Sequence, residues 1–388
     1  MTFAHQAVVA GVAQLENGSH SIPERDMATS VIRQALSDAD RELTDVDGLY
    51  LPKPRPWTSQ GFFSTMLTNQ LGLEQTGGLE IYTGGTSGAH AFHSAIRDVS
   101  MGRCETAIVL AVERNSIVET DRYLEYILTI FDREFQSPAG PTIPGVYAMS
   151  LQRYLYEYDI PRDEIADIIV KNRENASRNP NALFSSPVTR SDVLESRLIA
   201  NPLRLFECPA PCDGAAALVV TTANASDGQT SVPVIGTGYH HAATHLIGPR
   251  NTSLATFPAV RAAGLAALDM AGLSITEIDI LEPYAPFPHI EAILTEELGL
   301  FDRGDGVQAC LRGETATDGR IPVSPSGGCI GRGHPAMVTP LLNYIAAVEQ
   351  IRGTAPYTAS TPDTVLTTAE HGHLDGVTAT IFGGDVYA

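Results

Sequence analysis

Two turns in this chain combine glycines with a following helix in a way that could hold negative charge. Gly84, Gly85 and Gly88 precede one helical stretch, Ala89 to Met101, and Gly327, Gly328 and Gly331 precede another, Pro340 to Ile351. A GGxxG turn feeding a helix brings free backbone N–H groups and the positive end of the helix dipole to one point, which suits an anion formed during a reaction. The second turn runs on as SPSGGCIGRGHPAM and places Cys329 and His334 within five residues of each other. A thiol near a helix N-terminus is a candidate nucleophile, and a histidine with a reference pKa of about 6.5 accepts a proton at neutral pH. The purely structural alternative is that His334 caps the turn and Cys329 fills a small apolar site. Upstream, LEPYAPFPH carries Tyr284 and His289 after an apolar run. A tyrosine, with a reference pKa of about 10, needs a perturbed environment to move a proton, so on physical grounds alone His334 is the better base.

The elements that must position these residues are duplicated. The segment ALSDADRELTDVDGLYLP, starting at Ala35, aligns without gaps on ALDMAGLSITEIDILEPY, starting at Ala267. Ala35, Leu36, Ala39, Thr44, Asp47 and Leu49 recur as Ala267, Leu268, Ala271, Thr276, Asp279 and Leu281. Each copy follows a β-branched run that reads as a strand, Ala7 to Val12 and Val232 to Ile235. A helix comes next, with Met27, Val31, Ala35 and Leu36 at helical spacing in the first copy and Val260, Leu265 and Leu268 in the second. Strands at Val46 to Leu51 and Ile278 to Leu281, the glycine turns and their helices, and closing strands at Ala107 to Val112 and Val377 to Phe382 complete the halves. Alternating units of this kind bury both faces of their strands, which predicts an α/β fold with central sheets sandwiched by helices. The chain divides into an N-terminal half over 1–115, an inserted loop domain with the end of that half over 116–229, and a C-terminal half over 230–388. An insertion of this length between packed halves is expected to cover a site or an oligomer interface, the structural alternative being an excursion that serves only stability.

Composition narrows the functions. The 388 residues are 43% hydrophobic and 18% charged, enough for a packed core, and 25 Lys+Arg against 45 Asp+Glu give a net charge of -20. With no basic cluster, that charge disfavours nucleic acid and anionic lipid surfaces. No apolar run reaches membrane-spanning length and Ala7 to Ala13 lacks the positive flank of a signal peptide, so a soluble, cytoplasmic protein is expected. The cysteines, Cys104, Cys208, Cys212, Cys310 and Cys329, are odd in number and read as reduced thiols. Cys208 and Cys212 lack a second pair, and no metal is expected.

Taken together, GGTSGAHA, LEPYAPFPHIEAILTEELGL, SPSGGCIGRGHP and a closing IFGGDVYA resemble the thiolase superfamily. KNRENASRNPNA and ANPLRLFECPAPCDGAAALVV are similar to its sterol-carrier or lipid-transfer branch. The resemblance spans nearly the whole chain. It implies a thiolase-like duplicated αβαβα layered fold with two five-stranded mixed sheets and an inserted loop domain, usually assembled as a dimer. It also marks departures. The family's nucleophilic cysteine would fall at Gly85 and its second cysteine at Ile381, so both thiols are missing and the usual acyl-enzyme route is closed. The GHP histidine is retained as His334, and Tyr284 stands where the family has histidine or asparagine.

A charge-stabilising pocket without a nucleophile suits carbon–carbon cleavage through a thioester enolate. The resemblance extends to a branch of acyl-CoA aldolases, carbon–carbon lyases of steroid and related side-chain degradation, which commonly pair with a small zinc-ribbon/OB-fold partner. The expectation is retro-aldol cleavage of a branched 3-hydroxyacyl-CoA to a ketone or aldehyde plus a shorter acyl-CoA. Tyr284 and His334 are the expected catalytic residues, with the direction of proton transfer open, and backbone N–H groups near Gly85 and Gly383 would steady the enolate. No cofactor is expected beyond the CoA carried by the substrate, whose phosphates have Lys171, Arg204 and Arg332 as scattered candidates. Two rivals stand beside it: an acyltransferase with Cys329 as a relocated nucleophile, and a non-catalytic acyl-CoA- or lipid-binding subunit.

Overall fold

The computed structural model describes residues 5–58, 60–73, 76–225, 230–242 and 253–384, so the last four residues of the IFGGDVYA segment lie outside the described residues. The strands are β1 (Ala7–Gln14), β2 (Gly48–Pro52), β3 (Gly77–Ile81), β4 (Thr106–Glu113), β5 (Leu198–Ala200), β6 (Leu203–Arg204), β7 (Gly214–Thr222), β8 (Val232–His241), β9 (Ile280–Glu282), β10 (Thr364–His371) and β11 (Gly376–Gly383). The helices are α1 (Glu24–Asp38), α2 (Phe63–Leu71), α3 (Ser87–Ser100), α4 (Thr120–Ile127), α5 (Ile143–Glu157), α6 (Ala166–Ala176), α7 (Arg190–Glu195), α8 (Pro258–Ala271), α9 (Pro288–Leu298), α10 (Gly306–Leu311), α11 (Gly328–Arg332) and α12 (Thr339–Ile351).

Alternate residues along the strands feed different cores, as the period of two requires. Val9, Val109 and Leu218 pack with Phe92 of α3 and Leu341 of α12 in a central layer, to which Val365 and Phe382 of the other half also belong. Their neighbours Ala10, Ile108 and Val219 instead meet Val31 and Ile32 of α1 and Leu67 of α2. On the far side, Leu366 and Ile381 pack with Val260 of α8 and Ile293 of α9. The result is the expected helix–strand–helix–strand–helix layering, with α3 and α12 in the middle.

The sheet count differs from expectation. The strands form one nine-stranded sheet, in order β3-β2-β4-β7-β1-β8-β11-β10-β9, with a separate two-stranded ribbon of β5 and β6. The halves join where β1 and β8 pair antiparallel at Val8–Pro233 and Val9–Val232. Among the described residues the C-terminal half supplies four strands rather than five, the segment beside β9 making a single parallel bridge between Leu281 and Val323. The fifth strand of the N-terminal half is β7, which lies between β1 and β4 and comes from the end of the 116–229 segment.

The duplication extends to individual hydrogen bonds. The turn before β2 is closed by Glu42 and Asp45, and the turn before β9 by Ser274 and Glu277, each pair capping the other reciprocally. Asp47 then accepts the N–H groups of Glu105 and Thr106, while Asp279 accepts those of Asp363 and Thr364. Gly11 on β1 passes so close to the Ala35 carbonyl of α1 that any Cβ would overlap it, and Gly236 on β8 does the same at Ala267 of α8. One expected core residue is misplaced: Leu265 lies on the solvent face of α8, whose buried side is built from Ala259, Val260, Ala263, Ala267 and Leu268.

Candidate active site

A cavity of about 230 Å³ opens between the halves where four chain segments converge. Gly84 and Gly85 enter from the turn before α3, Tyr284 from the loop after β9, His334 and Ala336 from the loop before α12, and Glu370 to Gly372 from the end of β10. The insertion supplies much of the remaining wall: Tyr123, Tyr126 and Ile127 of α4, and Ile143 and Tyr147 of α5.

Tyr284 and His334 meet directly. The Tyr284 hydroxyl lies 2.8 Å from His334 Nε2, their rings being 5.4 Å apart and near-perpendicular. The same hydroxyl is 3.3 Å from the Ala336 carbonyl, which can accept its proton. Having a single proton, the phenol donates either to Ala336, with His334 Nε2–H donating to its oxygen, or to the imidazole. Each side chain is anchored through its backbone: Tyr284 N–H donates to Thr368 Oγ1 at 3.1 Å and His334 N–H to the Ala210 carbonyl at 3.0 Å.

Burial sets the protonation. Desolvation, assisted by Arg55 and Arg332, lowers the His334 imidazole to about 3. Desolvation, with Cys329, Glu370 and Glu113 nearby, raises Tyr284 well above the phenol range. Both groups are therefore neutral around pH 7. They are good hydrogen-bond donors to a developing anion, but neither has a proton affinity near neutrality, where general acid–base catalysis works best. The reference value near 6.5 does not survive the dry environment of His334.

Gly85 has no room for a side chain. A Cβ there would overlap the Glu370 carbonyl oxygen and come within 3.4 Å of the Tyr284 hydroxyl. The departure from thiolases is thus built into the backbone as well as the residue type. Beside it, Gly84 has φ +66°, and His371 Nδ1 lies 2.8 Å from Thr86 Oγ1, fixing the turn against β10. On the opposite wall Arg55 pairs with Glu113 at 2.6 Å, and the second oxygen of Glu113 accepts the Met337 N–H at 2.8 Å. This buried pair holds the GHPAM loop against the end of β4.

Several expected site residues fall elsewhere. Gly383 pairs with Thr364 at the end of β11 opposite Gly376, whose partner His371 borders the cavity; Gly383 is therefore a strand length away. Ile381 sits within the same strand, opposite Leu366. The turn that faces Gly85 is instead Glu370–His371–Gly372, for which the sequence predicts no role. Its only signal was an acidic residue and two histidines closing an apolar, β-branched run. Cys329 is 1% exposed, does not border the cavity, and has its thiol pushed up to about 12 by desolvation. The second glycine turn packs its Gly327 and Gly331 against Ala176 and Asn172 of α6 rather than opening to the cleft. His289 is fully buried and held well below its ordinary value by desolvation. Lys171 pairs with buried Glu291 at 2.6 Å, Arg332 is buried against Ser326 and Asn343, and Arg204 donates to the Ser196 carbonyl, so the three cations have structural partners. Among the described residues, no group of three or more His, Cys, Asp or Glu side chains is placed to hold a metal ion.

Layered halves, a GHP loop and a cavity at their junction define a thiolase-type protein, and comparison with known proteins agrees. Residues 240–384 match the family model "Thiolase C-terminal domain-like". The chain is 33% identical over 350 residues to an acetyl-CoA acetyltransferase of Methanothermobacter thermautotrophicus, covering 89% of this chain and 91% of that protein. It is 26% identical over 385 residues to a 17-hydroxy-3-oxo-4-pregnene-20-carboxyl-CoA lyase of Mycobacterium tuberculosis, covering 95% and 97%. Among solved structures it is similar to the Ltp2-ChsH2(DUF35) aldolase, with a TM-score of 0.83, 23% identity and 99% of each chain covered. The chain belongs to the thiolase superfamily.

Proposed function

We propose that this chain is a carbon–carbon lyase that cleaves a branched 3-hydroxyacyl-CoA by a retro-aldol reaction, giving a ketone or aldehyde and a shorter acyl-CoA. The observation that carries this reading is the Gly85 position. The backbone leaves no space for a nucleophilic side chain, and the Tyr284 hydroxyl and His334 imidazole converge on the space beside it. Two neutral donors in a dry pocket suit a thioester enolate, whose charge develops only as the bond between the α and β carbons breaks. The lyase and aldolase names of relatives that match this chain almost end to end support the same chemistry. The aromatic and aliphatic lining from α4, α5 and Phe287 suits an apolar acyl group, with side chains of steroids or similar acids as the class.

The active assembly in this reading is a hetero-complex with a small zinc-ribbon/OB-fold protein, as the DUF35 chain of the solved aldolase suggests. A homodimer would use the free edge of β3, where Leu79 is exposed on the outermost strand of the sheet. No helix among the described residues is long and apolar enough to cross a membrane, and a cytoplasmic location fits a CoA-dependent reaction. The test is kinetic. Tyr284→Phe and His334→Ala are each expected to lower cleavage by about 10²- to 10³-fold, the cost of one preorganised donor, with unchanged melting curves. Near-normal turnover in both variants sinks the mechanism.

A further inference from the structure

Resting on the lyase reading, we infer that Glu370 is the group that carries the proton: its carboxylate takes the β-hydroxyl proton and then delivers it to the α carbon. Cleavage of a 3-hydroxyacyl thioester moves one proton from oxygen to carbon and needs no other reagent. As the carboxylate accepts the hydroxyl proton, the O–H electron pair becomes the second bond of the new carbonyl. The pair from the breaking carbon–carbon bond passes into the thioester as an enolate. Protonation of the α carbon by the Glu370 acid then releases the shorter acyl-CoA and restores the carboxylate. Atoms and charge balance with a single shuttling group.

The geometry points to Glu370 on independent grounds. Its side chain is buried and bonded to Tyr147, which lines the cavity, while the residue itself borders that cavity with Tyr284 and His334 and turns its backbone carbonyl toward Gly85. One carboxylate oxygen accepts the Tyr147 hydroxyl at 3.3 Å and the other accepts the Leu374 N–H at 3.2 Å. Two hydrogen bonds leave lone pairs on both oxygens, so the group is oriented without being saturated. Among the described residues no ion pair holds it, in contrast to Glu113, which is committed to Arg55. The titratable groups acting on it are Tyr147 from α5 and Asp375 from the following turn, while its own charge in turn raises Tyr284 from the β9 loop and Cys329 from α11. Desolvation above all, together with Asp375, raises its proton affinity to about 8, against the opposing pull of Leu374 and Tyr147. Of Tyr284, His334 and Glu370, only Glu370 can both gain and lose a proton near neutral pH.

The test uses the full chain with whatever small partner co-purifies, and compares wild type with Glu370→Gln. Two readouts are taken: cleavage of a 3-hydroxy-3-methylacyl-CoA across pH, and deuterium uptake from D2O at the α carbon of acetyl-, propionyl- and butyryl-CoA. The expected result is a loss of about 10²- to 10⁴-fold in cleavage for Glu370→Gln, disappearance of the pH inflection, and loss of α-deuteration, while acyl-CoA affinity is kept. Cleavage within about threefold of wild type with the inflection unchanged overturns the role of Glu370 and leaves the lyase reading standing. α-Deuteration by wild type but not by Glu370→Gln, with no cleavage of any hydroxyacyl-CoA by either, keeps Glu370 and sinks the lyase reading instead. Wild-type protein that neither cleaves nor deuterates overturns both.

Discussion

At the scale of single residues, the cavity presents two neutral hydrogen-bonding side chains, which in the proposed reading take the place of a covalent nucleophile. Tyr284 and His334 lie fifty positions apart in the chain yet touch through a 2.8 Å contact. Both were legible in the sequence, because each stands in a motif next to a strand or a glycine turn. Glu370 and Tyr147 were not, since an acidic residue at a strand end and a tyrosine on an insertion helix carry no signal until β10 and α5 are brought to one cavity. The Gly85 backbone yields a sharp expectation. Gly85→Cys restores the family's thiol in sequence but forces its Cβ into the Glu370 carbonyl. The variant is expected to lose about 1–3 kcal/mol of stability and to gain no acyl-transfer activity. A chemical melt and an acetyl-CoA exchange assay check it, and a stable, acylating variant would contradict the reading of this turn.

Elements follow from the repeat more closely than from propensity. The Ala35/Ala267 match was a count of identical letters; in the fold it is the point where a strand glycine rests on a helix carbonyl, in both halves. The Asp47/Asp279 match is a carboxylate that binds the first N–H groups of the neighbouring strand segment. These positions recur because the same packing problem recurs. Gly236→Ala is therefore expected to destabilise by about 1–3 kcal/mol, whereas Gly18→Ala, with open space around its Cβ, is expected to be near neutral; denaturant titration of the pair checks this. Where the repeat breaks, the sequence misled. The single bridge at Val323 in place of a fifth strand among the described residues of the second half, and the exposed Leu265, come from local differences that an alignment of identities does not see. The second glycine turn reads like the first but is closed by α6, an element without a counterpart in the repeat.

For the whole molecule, the layered fold was legible because two copies of one pattern demand two sheet halves, and the cavity lies where those halves meet. The same burial that dries the cavity shapes the response to pH. His93, His334 and His373 are held at about 3 and His371 at about 4, all below the ordinary 6.5, with desolvation the main cause. The unfolded chain binds these protons from pH 6.5 downward while the folded chain refuses them, so stability falls between about pH 6.5 and 3. Glu370 acts in the opposite direction: raised from 4.5 to about 8, it lowers stability as pH rises through that window. His93→Gln, outside the cavity, is accordingly expected to flatten the acid limb of the melting temperature measured from pH 7 to pH 4, and an unchanged limb would refute the burial argument.

Rapid-quench mass spectrometry of protein and products together tests whether the carbon–carbon bond is cleaved without a covalent enzyme intermediate. With a branched 3-hydroxyacyl-CoA and any co-purifying partner, the expected result is a ketone or aldehyde and a shorter acyl-CoA in equal amounts, from a protein whose mass never changes. An acyl adduct on Cys329, or intact substrate after prolonged incubation, would contradict it.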